Sequence, residues 1–144
     1  MQAPAGLCSA PAERVDRSDL ARALAASWDR RTAYRGAVRP DNPAFGQCYP
    51  TARVVQWLYP EYDIASGEVW TGSAVEHHFW NVRGCGADAD WLDLSWQQFP
   101  PGSVVRHHVV LDRSALGDSV ATVERCVLLL RRVLLHLRAV PDGL

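Results

Sequence analysis

The pattern of hydrophobic and polar positions predicts helices at both ends of the chain. Residues 18 to 34 form the first predicted helix, with Ser18 as its N-cap. Its apolar residues recur at helical spacing: Leu20, Leu24 and Trp28. Residues 118 to about 140 form the last predicted helix, capped by Asp118 or Ser119. Its apolar stripe is longer and comprises Val120, Val123, Val127, Leu130, Leu134 and Leu137.

The middle of the chain has the aromatic and β-branched character of strands. Strands are predicted at residues 64 to 71, 76 to 83, 90 to 94 and 104 to 111. Gly72-Ser73 predicts a turn after the first strand, and residues 84 to 89 predict the loop of a hairpin. Short connections of this kind favour an antiparallel sheet.

Between the first helix and the strands lies a turn that leads into a third helix. Asn42-Pro43 initiates a turn, and Gly46 permits backbone angles that other residues avoid. The helix then runs from Cys48 to about Tyr59-Pro60, since proline cannot continue it. Cys48 therefore lies at a helix N-terminus, where free N–H groups and the helix dipole favour a thiolate.

Together these elements predict an α+β domain. The central helix that carries Cys48 would pack on a small antiparallel sheet, with the N- and C-terminal helices at its flanks. Residues 1 to 17 are predicted to be a flexible tail and residues 18 to 144 a single domain.

Composition and charge exclude several classes of function. Among the 144 residues the formal net charge is −1, so a nucleic-acid partner bound through phosphates is not expected. Every basic residue other than histidine is arginine, which excludes a Schiff-base lysine. This arginine- and alanine-rich composition is typical of a GC-rich bacterial genome and suggests a role in specialised metabolism.

The four cysteines are Cys8, Cys48, Cys85 and Cys126, and no two of them form a Cys-x-x-Cys pair. This spacing does not favour a zinc site or a disulfide framework. No signal peptide and no apolar run of membrane-spanning length is recognised. We therefore expect a cytoplasmic protein without a cofactor and without a membrane partner.

A cysteine nucleophile needs a base and a group that orients the base. Side chains alternate along a strand, so His78 and Trp80 share one face, and His77 and Asn81 share the other. If the second and third strands form a hairpin, Asp93 can reach His78 across the ladder. Its carboxylate would fix the tautomer of the imidazole and stabilise the imidazolium beside Cys48.

Each of these residues also has a structural interpretation. A lone cysteine is usually a small buried hydrophobe. His78 could be a hydrogen-bonded core residue, and Asp93 could cap a turn. Gln47 could donate to an oxyanion together with the backbone N–H of Cys48, or could be a turn residue that faces solvent.

The ordered set of motifs resembles the small bacterial YunG-like proteins. Gly46-Gln47-Cys48 is followed by His78-Phe79-Trp80-Asn81 and then by Asp93-Leu94-Ser95, with Gln98-Phe99 after it. The resemblance covers roughly residues 40 to 140. It implies a compact papain/transglutaminase-like fold and a Cys-His-Asp site. This chain has Phe79 and Ser95 where tyrosine and threonine are usual, and Tyr49-Pro50 after the cysteine is less typical.

The resulting prediction is a cysteine-dependent hydrolase or acyltransferase. Cys48, His78 and Asp93 would act on an amide, ester or thioester of a small molecule, a peptide-like substrate or a single side chain. Gln47 would help with the oxyanion, and Trp80, Trp91 and Asn81 would contact substrate, although most of the tryptophans are expected to be core residues.

Two other functions stay open from the sequence. A metal could be bound by histidine and cysteine side chains, although adjacent histidines on a strand point to opposite faces. The available ligands are His77, His78, His107, His108, Cys85 and Cys48. Alternatively, the chain could be a non-catalytic interaction module on the same fold. Its apolar C-terminal helix could then pair with a second copy of the chain as a homodimer.

Overall fold

The computed structural model describes residues 14–139. This part of the chain contains three α-helices, α1 (Arg17–Ser27), α2 (Cys48–Leu58) and α3 (Val120–Arg138). Four strands form one sheet in the order β3-β2-β1-β4: β1 (Asp63–Trp70), β2 (Val75–Arg83), β3 (Asp90–Leu92) and β4 (Val104–Val110). All three pairings are antiparallel. The α+β class predicted from the sequence is therefore confirmed.

The central hairpin of the sheet joins β1 and β2 along their whole length. Asp63 pairs with Val82, and Trp70 pairs with Val75. β3 is much shorter and pairs only with residues 81 to 83 of β2. The part of β2 around His78 therefore has β1 on one side and no strand on the other.

The core lies between the three helices and one face of the sheet. α2 contacts both β2 and α3, and α3 also contacts α1. The largest buried cluster includes Leu20, Leu24, Val54, Trp57, Tyr62 and Leu129. A hydrogen bond from the Asn81 amide to the Ala52 carbonyl, with an N–O distance of 3.0 Å, ties β2 to α2. The amphipathic patterns of the first and last helices thus lead to burial in one shared core.

The first helix differs from the prediction at both ends. Asp16 is the N-cap instead of Ser18, because its carboxylate accepts the backbone N–H groups of Ser18 and Asp19 at 2.8 and 3.1 Å. The helix ends at Ser27 instead of continuing to residue 34. A turn follows it, in which the Asp29 carbonyl accepts the N–H groups of residues 32 and 33.

The termini of the predicted domain are described in part. Val15 packs against the core, and the Tyr59 hydroxyl donates to its carbonyl, so residues 14 to 17 contact the fold. Residues 1–13 of the predicted tail, with Cys8, and residues 140–144 lie outside the described residues. Within residues 14–139 no helix has the length and apolar character needed to cross a membrane.

The third strand is shorter than predicted, since it ends at Leu92 rather than Leu94. Asp93 leaves the strand, and its Oδ1 accepts the backbone N–H of Ser95 at 3.3 Å. A 3-10 turn over Trp96–Gln98 follows. The chain from Asp93 onward therefore turns at the strand end and can approach the side of β2 that β3 leaves unpaired.

Candidate active site

Cys48 is the first residue of α2 and follows a tight turn. Gly46 has a φ of +79°, and its carbonyl accepts the N–H of Tyr34 at 2.9 Å. The N-cap position is Gln47, whose side chain makes no capping hydrogen bond. The backbone N–H groups at the start of a helix have no carbonyl partner within the helix. The Cys48 thiol is partly exposed at this electropositive end.

Gln47 is completely buried behind the turn. Its Oε1 accepts the Thr32 hydroxyl at 2.8 Å, and its Nε2 donates to the Asp29 carbonyl at 2.9 Å. Both contacts join the turn before α2 to the turn after α1. In this structure the side chain holds the Cys48 turn in place, and its predicted part in an oxyanion hole stays a prediction.

His78 lies on β2 and is completely buried within a group of aromatic rings. Trp80 stacks on the imidazole with 5.7 Å between ring centroids and an interplanar angle of 22°. Phe99 meets it edge-on at 4.7 Å, and Trp96 does so at 6.0 Å. These contacts fix the ring plane of His78 and keep water away from it.

Asp93 orients the imidazole from the turn that follows β3. Its Oδ2 lies 2.7 Å from Nε2 of His78, while its Oδ1 accepts the N–H of Ser95. Asp93 therefore combines the two interpretations given to it from the sequence, since it caps a turn and also binds the histidine. A carboxylate at Nε2 holds the proton on that nitrogen in the neutral ring. In the neutral ring the other nitrogen, Nδ1, is then unprotonated. It is buried and makes no hydrogen bond.

The charge state of His78 is set by burial and by two neighbours. Burial favours the neutral ring, but the Asp93 carboxylate and the Cys48 thiol outweigh it and raise the pKa of His78 to about 9. At neutral pH the ring is therefore an imidazolium. Asp93 and Cys48 are thus the two groups that raise the pKa of His78. The hydrogen bond at Nε2 places Asp93 directly beside the ring.

A cleft of about 810 Å³ opens beside Cys48. Its wall is formed by the first turn of α2, by β2 and by the beginning of α3, and it includes Cys48, Tyr49, His77, Phe79, Asp118 and Arg125. Tyr49 and Phe79 meet edge-to-face with 4.8 Å between ring centroids. The thiol is thus accessible from the cleft, whereas the imidazole behind it is not.

The other residues predicted to contact substrate do not line this cleft. Trp80 is buried and packs between His78 and Trp91, with 5.2 Å between the two indole centroids. Trp91 is 44% exposed on the outer surface. Asn81 uses its amide to join β2 to the Ala52 carbonyl. Trp80 positions His78, and Asn81 positions the strand; substrate contact by these three residues stays a prediction.

The structure adds a buried polar group that sequence reasoning did not find. The Arg53 guanidinium lies 3.1 Å from the Asp118 carboxylate, and the Tyr49 hydroxyl donates to the same carboxylate. Burial, followed by the bond to Asp118, raises the pKa of Tyr49 well above its usual range. Arg53 on an apolar helix face was the available signal, because a buried arginine requires a partner.

The remaining cysteines and histidines are placed differently. Cys85 is exposed, and Cys126 is buried in the core, where desolvation and then the Asp118 charge raise its pKa to about 12. His77 lies on the cleft wall, and its Nε2 is 2.9 Å from the Ser66 hydroxyl. Among residues 14–139, no three His, Cys, Asp or Glu side chains converge as a metal site would require.

A comparison with protein families confirms the family that the motifs resemble. The family model described as YunG protein matches residues 16–138, which include all three helices and all four strands. No curated protein and no solved structure matches the chain. The match extends over most of the sequence and includes Cys48, His78 and Asp93. The chain therefore belongs to the YunG family.

Proposed function

We propose that this protein is a cysteine-dependent acyl-transfer enzyme with a compact papain/transglutaminase-like fold. The observation that carries the proposal is one buried imidazole that is bonded to a carboxylate and whose pKa is raised by both that carboxylate and a cleft-lining thiol. His78 is bonded to Asp93 through Nε2, and Asp93 and Cys48 both raise its pKa. Cys48 lines the cleft. A nucleophile, a base and an orienting group in this order are the parts of a covalent mechanism.

In the proposed first step, Cys48 attacks the carbonyl carbon of an amide, ester or thioester as a thiolate. The His78 imidazolium donates its proton to the departing amine, alcohol or thiol as the bond between the carbonyl and the leaving group breaks. The acyl group is then held on Cys48 as a thioester. Asp93 keeps the ring in one orientation during this transfer and stabilises its charged form.

In the second step, a water molecule or an amine attacks the thioester. Neutral His78 accepts the proton of the attacking group, and the Cys48 thiolate leaves, which restores the starting state. Water gives hydrolysis, and an amine gives acyl transfer. The backbone N–H of Cys48 at the start of α2 would donate to the oxyanion that forms in each step, because a first-turn N–H has no partner within the helix.

The dimensions of the cleft favour a small molecule or a single side chain as the acyl donor. Its volume of about 810 Å³ lies within the range that is usual for small-molecule sites. Aromatic rings of Tyr49 and Phe79 contribute to its wall beside Cys48. This apolar wall beside Cys48 would contact the apolar part of the acyl group.

The proposal is tested by the alkylation rate of each cysteine with iodoacetamide near neutral pH, followed by peptide mass spectrometry. We expect Cys48 to react at least about tenfold faster than the exposed Cys85, since the thiolate is the reactive form. His78→Gln should remove most of this advantage, because it removes the cation that stabilises the thiolate.

The matched control is His77→Gln, which changes the neighbouring histidine on the opposite face of β2. His77 lies on the cleft wall but is bonded to Ser66, so this variant should keep the fast reaction of Cys48. Circular dichroism would show that both variants are folded. Equal rates at Cys48 and Cys85 in the folded wild-type protein would overturn the proposal.

A further inference from the structure

Among residues 14–139, Arg125 is the one arginine on the wall of the cleft that contains Cys48. It lies near the beginning of α3, and its Nη2 donates to the Thr122 hydroxyl at 3.0 Å. Its guanidinium carbon lies 5.8 Å from the centre of the Tyr34 ring, which also lines the cleft. In the described part of the chain Arg125 has no ion pair with a carboxylate, and its Nε is buried without a hydrogen-bond partner.

A buried guanidinium N–H without a partner is unfavourable, because it has lost water and gained nothing in exchange. Arginine presents its N–H groups in a planar fork that matches the two oxygens of a carboxylate. Contact with the Tyr34 ring and the bond to Thr122 hold this fork in place. The side chain is therefore held in a position from which it can bind an anion in the cleft.

We infer that Arg125 forms a carboxylate-binding subsite, so that the acyl substrate of Cys48 carries a carboxylate group at a distance from its reacting carbonyl. This inference rests on the proposed function and adds a substrate class to it. The carboxylate would pair with the guanidinium on the α3 side of the cleft. The carbonyl would then lie beside Cys48 at the start of α2.

The other charged groups on the cleft wall are compatible with this assignment. Asp118 is already paired with Arg53 and bonded to Tyr49, so its charge is compensated within the protein. Glu76 lies on the β2 side, as does His77. An anion is therefore favoured on the α3 wall and disfavoured near β2, which would fix the direction in which the substrate lies.

The test uses three iodoacetyl probes of similar size that differ in charge. N-iodoacetylglycine carries a carboxylate, N-iodoacetylglycinamide is neutral, and N-iodoacetyl-ethylenediamine is cationic. The rate constant for alkylation of Cys48 is measured with each probe, and the rate at Cys85 gives the intrinsic reactivity of the probe. Homologues of the anionic probe with one or two further methylene groups would show which length reaches Arg125.

For each probe, the rate constant at Cys48 is divided by that at Cys85. We expect this normalised rate to be higher for the anionic probe of best length than for the neutral probe. Arg125→Gln should lower the ratio of the anionic to the neutral normalised rate about tenfold, in line with the loss of a charge-assisted hydrogen bond. Arg125→Lys should retain part of the preference, since it keeps the charge without the fork. Arg131→Gln, an exposed arginine of the same helix, is the matched control and should leave the ratio unchanged.

Several results would overturn the inference while the proposed function still stands. These are equal rates for the anionic and neutral probes at a reactive Cys48, a preference for the cationic probe, or equal losses in the Arg125→Gln and Arg131→Gln variants. The rate with the neutral probe shows whether each variant is still folded at the site. If even the neutral probe does not prefer Cys48 over Cys85, it is the proposed function that fails.

Discussion

At the scale of single residues, the two ring nitrogens of His78 have different surroundings. Nε2 is bonded to Asp93 at 2.7 Å, and Nδ1 is buried without a hydrogen bond. Burial alone would make this ring neutral, yet its pKa is raised to about 9, because the two acidic neighbours outweigh desolvation. The Asp93 carboxylate therefore decides the charge of this buried ring.

Asp93→Asn should lower the pKa of His78 by about one to three, since the amide keeps the shape of the side chain and removes its charge. Titration of the His78 ring protons by NMR measures this change. Asp90→Asn, at the other end of β3, is the control and should leave the titration of His78 unchanged. Equal titration of His78 in the wild type and in Asp93→Asn would contradict the role of the carboxylate.

The raised pKa of His78 also makes the free energy of unfolding depend on pH, and Asp93→Asn should weaken this dependence. The pKa of His78 is raised from an unfolded value near 6.5 to about 9 in the folded protein, so the folded state binds the proton more tightly. The stabilisation is complete below about pH 6.5 and is lost as the pH rises through about 9. Urea unfolding should therefore show a difference between wild type and Asp93→Asn that shrinks across this interval. A difference that grows with pH would contradict it.

At the scale of elements, the start of α2 depends on the turn that precedes it. Gly46 has a positive φ, and a Cβ at this position would lie 2.8 Å from the Ala37 carbonyl oxygen. Gln47 holds the same turn from the other side through Thr32 and Asp29. The position of the Cys48 thiol is thus set by a turn with little freedom to move.

Gly46→Ala should therefore destabilise the fold by about 2 to 4 kcal/mol, the sum of left-handed strain and a backbone collision. Gly72→Ala is the matched control: Gly72 also has a positive φ, but a Cβ there meets nothing within 4 Å. Gly72→Ala should lower the free energy of unfolding by only about 1 to 2 kcal/mol. Urea unfolding measures both losses. Equal losses in the two variants would show that the close approach of Gly46 to the Ala37 carbonyl does not contribute to stability.

At the scale of the whole molecule, a buried ion pair joins the cleft walls. Arg53 of α2 is 2% exposed and pairs with Asp118, which lies just before α3. Tyr49, one residue after the candidate nucleophile, donates to the same carboxylate. The Arg53–Asp118–Tyr49 group therefore links α2, which begins at Cys48, to the segment that leads to Arg125. It holds these two parts of the cleft wall in fixed positions relative to each other.

Removing one partner of a buried ion pair leaves the other charge without compensation. Asp118→Asn should accordingly lower the free energy of unfolding by about 3 kcal/mol. Asp19→Asn is the matched control, because Asp19 pairs with the exposed Arg22 on the surface of α1. Its loss should stay below about 1 kcal/mol. Similar losses in the two variants would show that the buried group does not hold the cleft walls together.

The sequence by itself determined the elements and the placement of the candidate nucleophile. Helical and strand periodicity, together with proline and glycine signals, gave the α+β class, the start of α2 at Cys48 and the opposite faces of His77 and His78. These features follow from local backbone geometry, which neighbouring residues specify. The periodicity of residues 18 to 34 was less reliable, because the turn at Asp29 ends the helix early.

Only the tertiary structure decided which polar groups meet. Gln47 is bonded to residues of the turn after α1, Asp93 reaches His78 from beyond the end of β3, and Arg53 pairs with a residue far along the chain. The cleft that contains both Cys48 and Arg125 likewise joins segments distant in sequence. Such contacts depend on how elements pack, and the hydrophobic pattern specifies which face is buried but not which polar side chain lies opposite it.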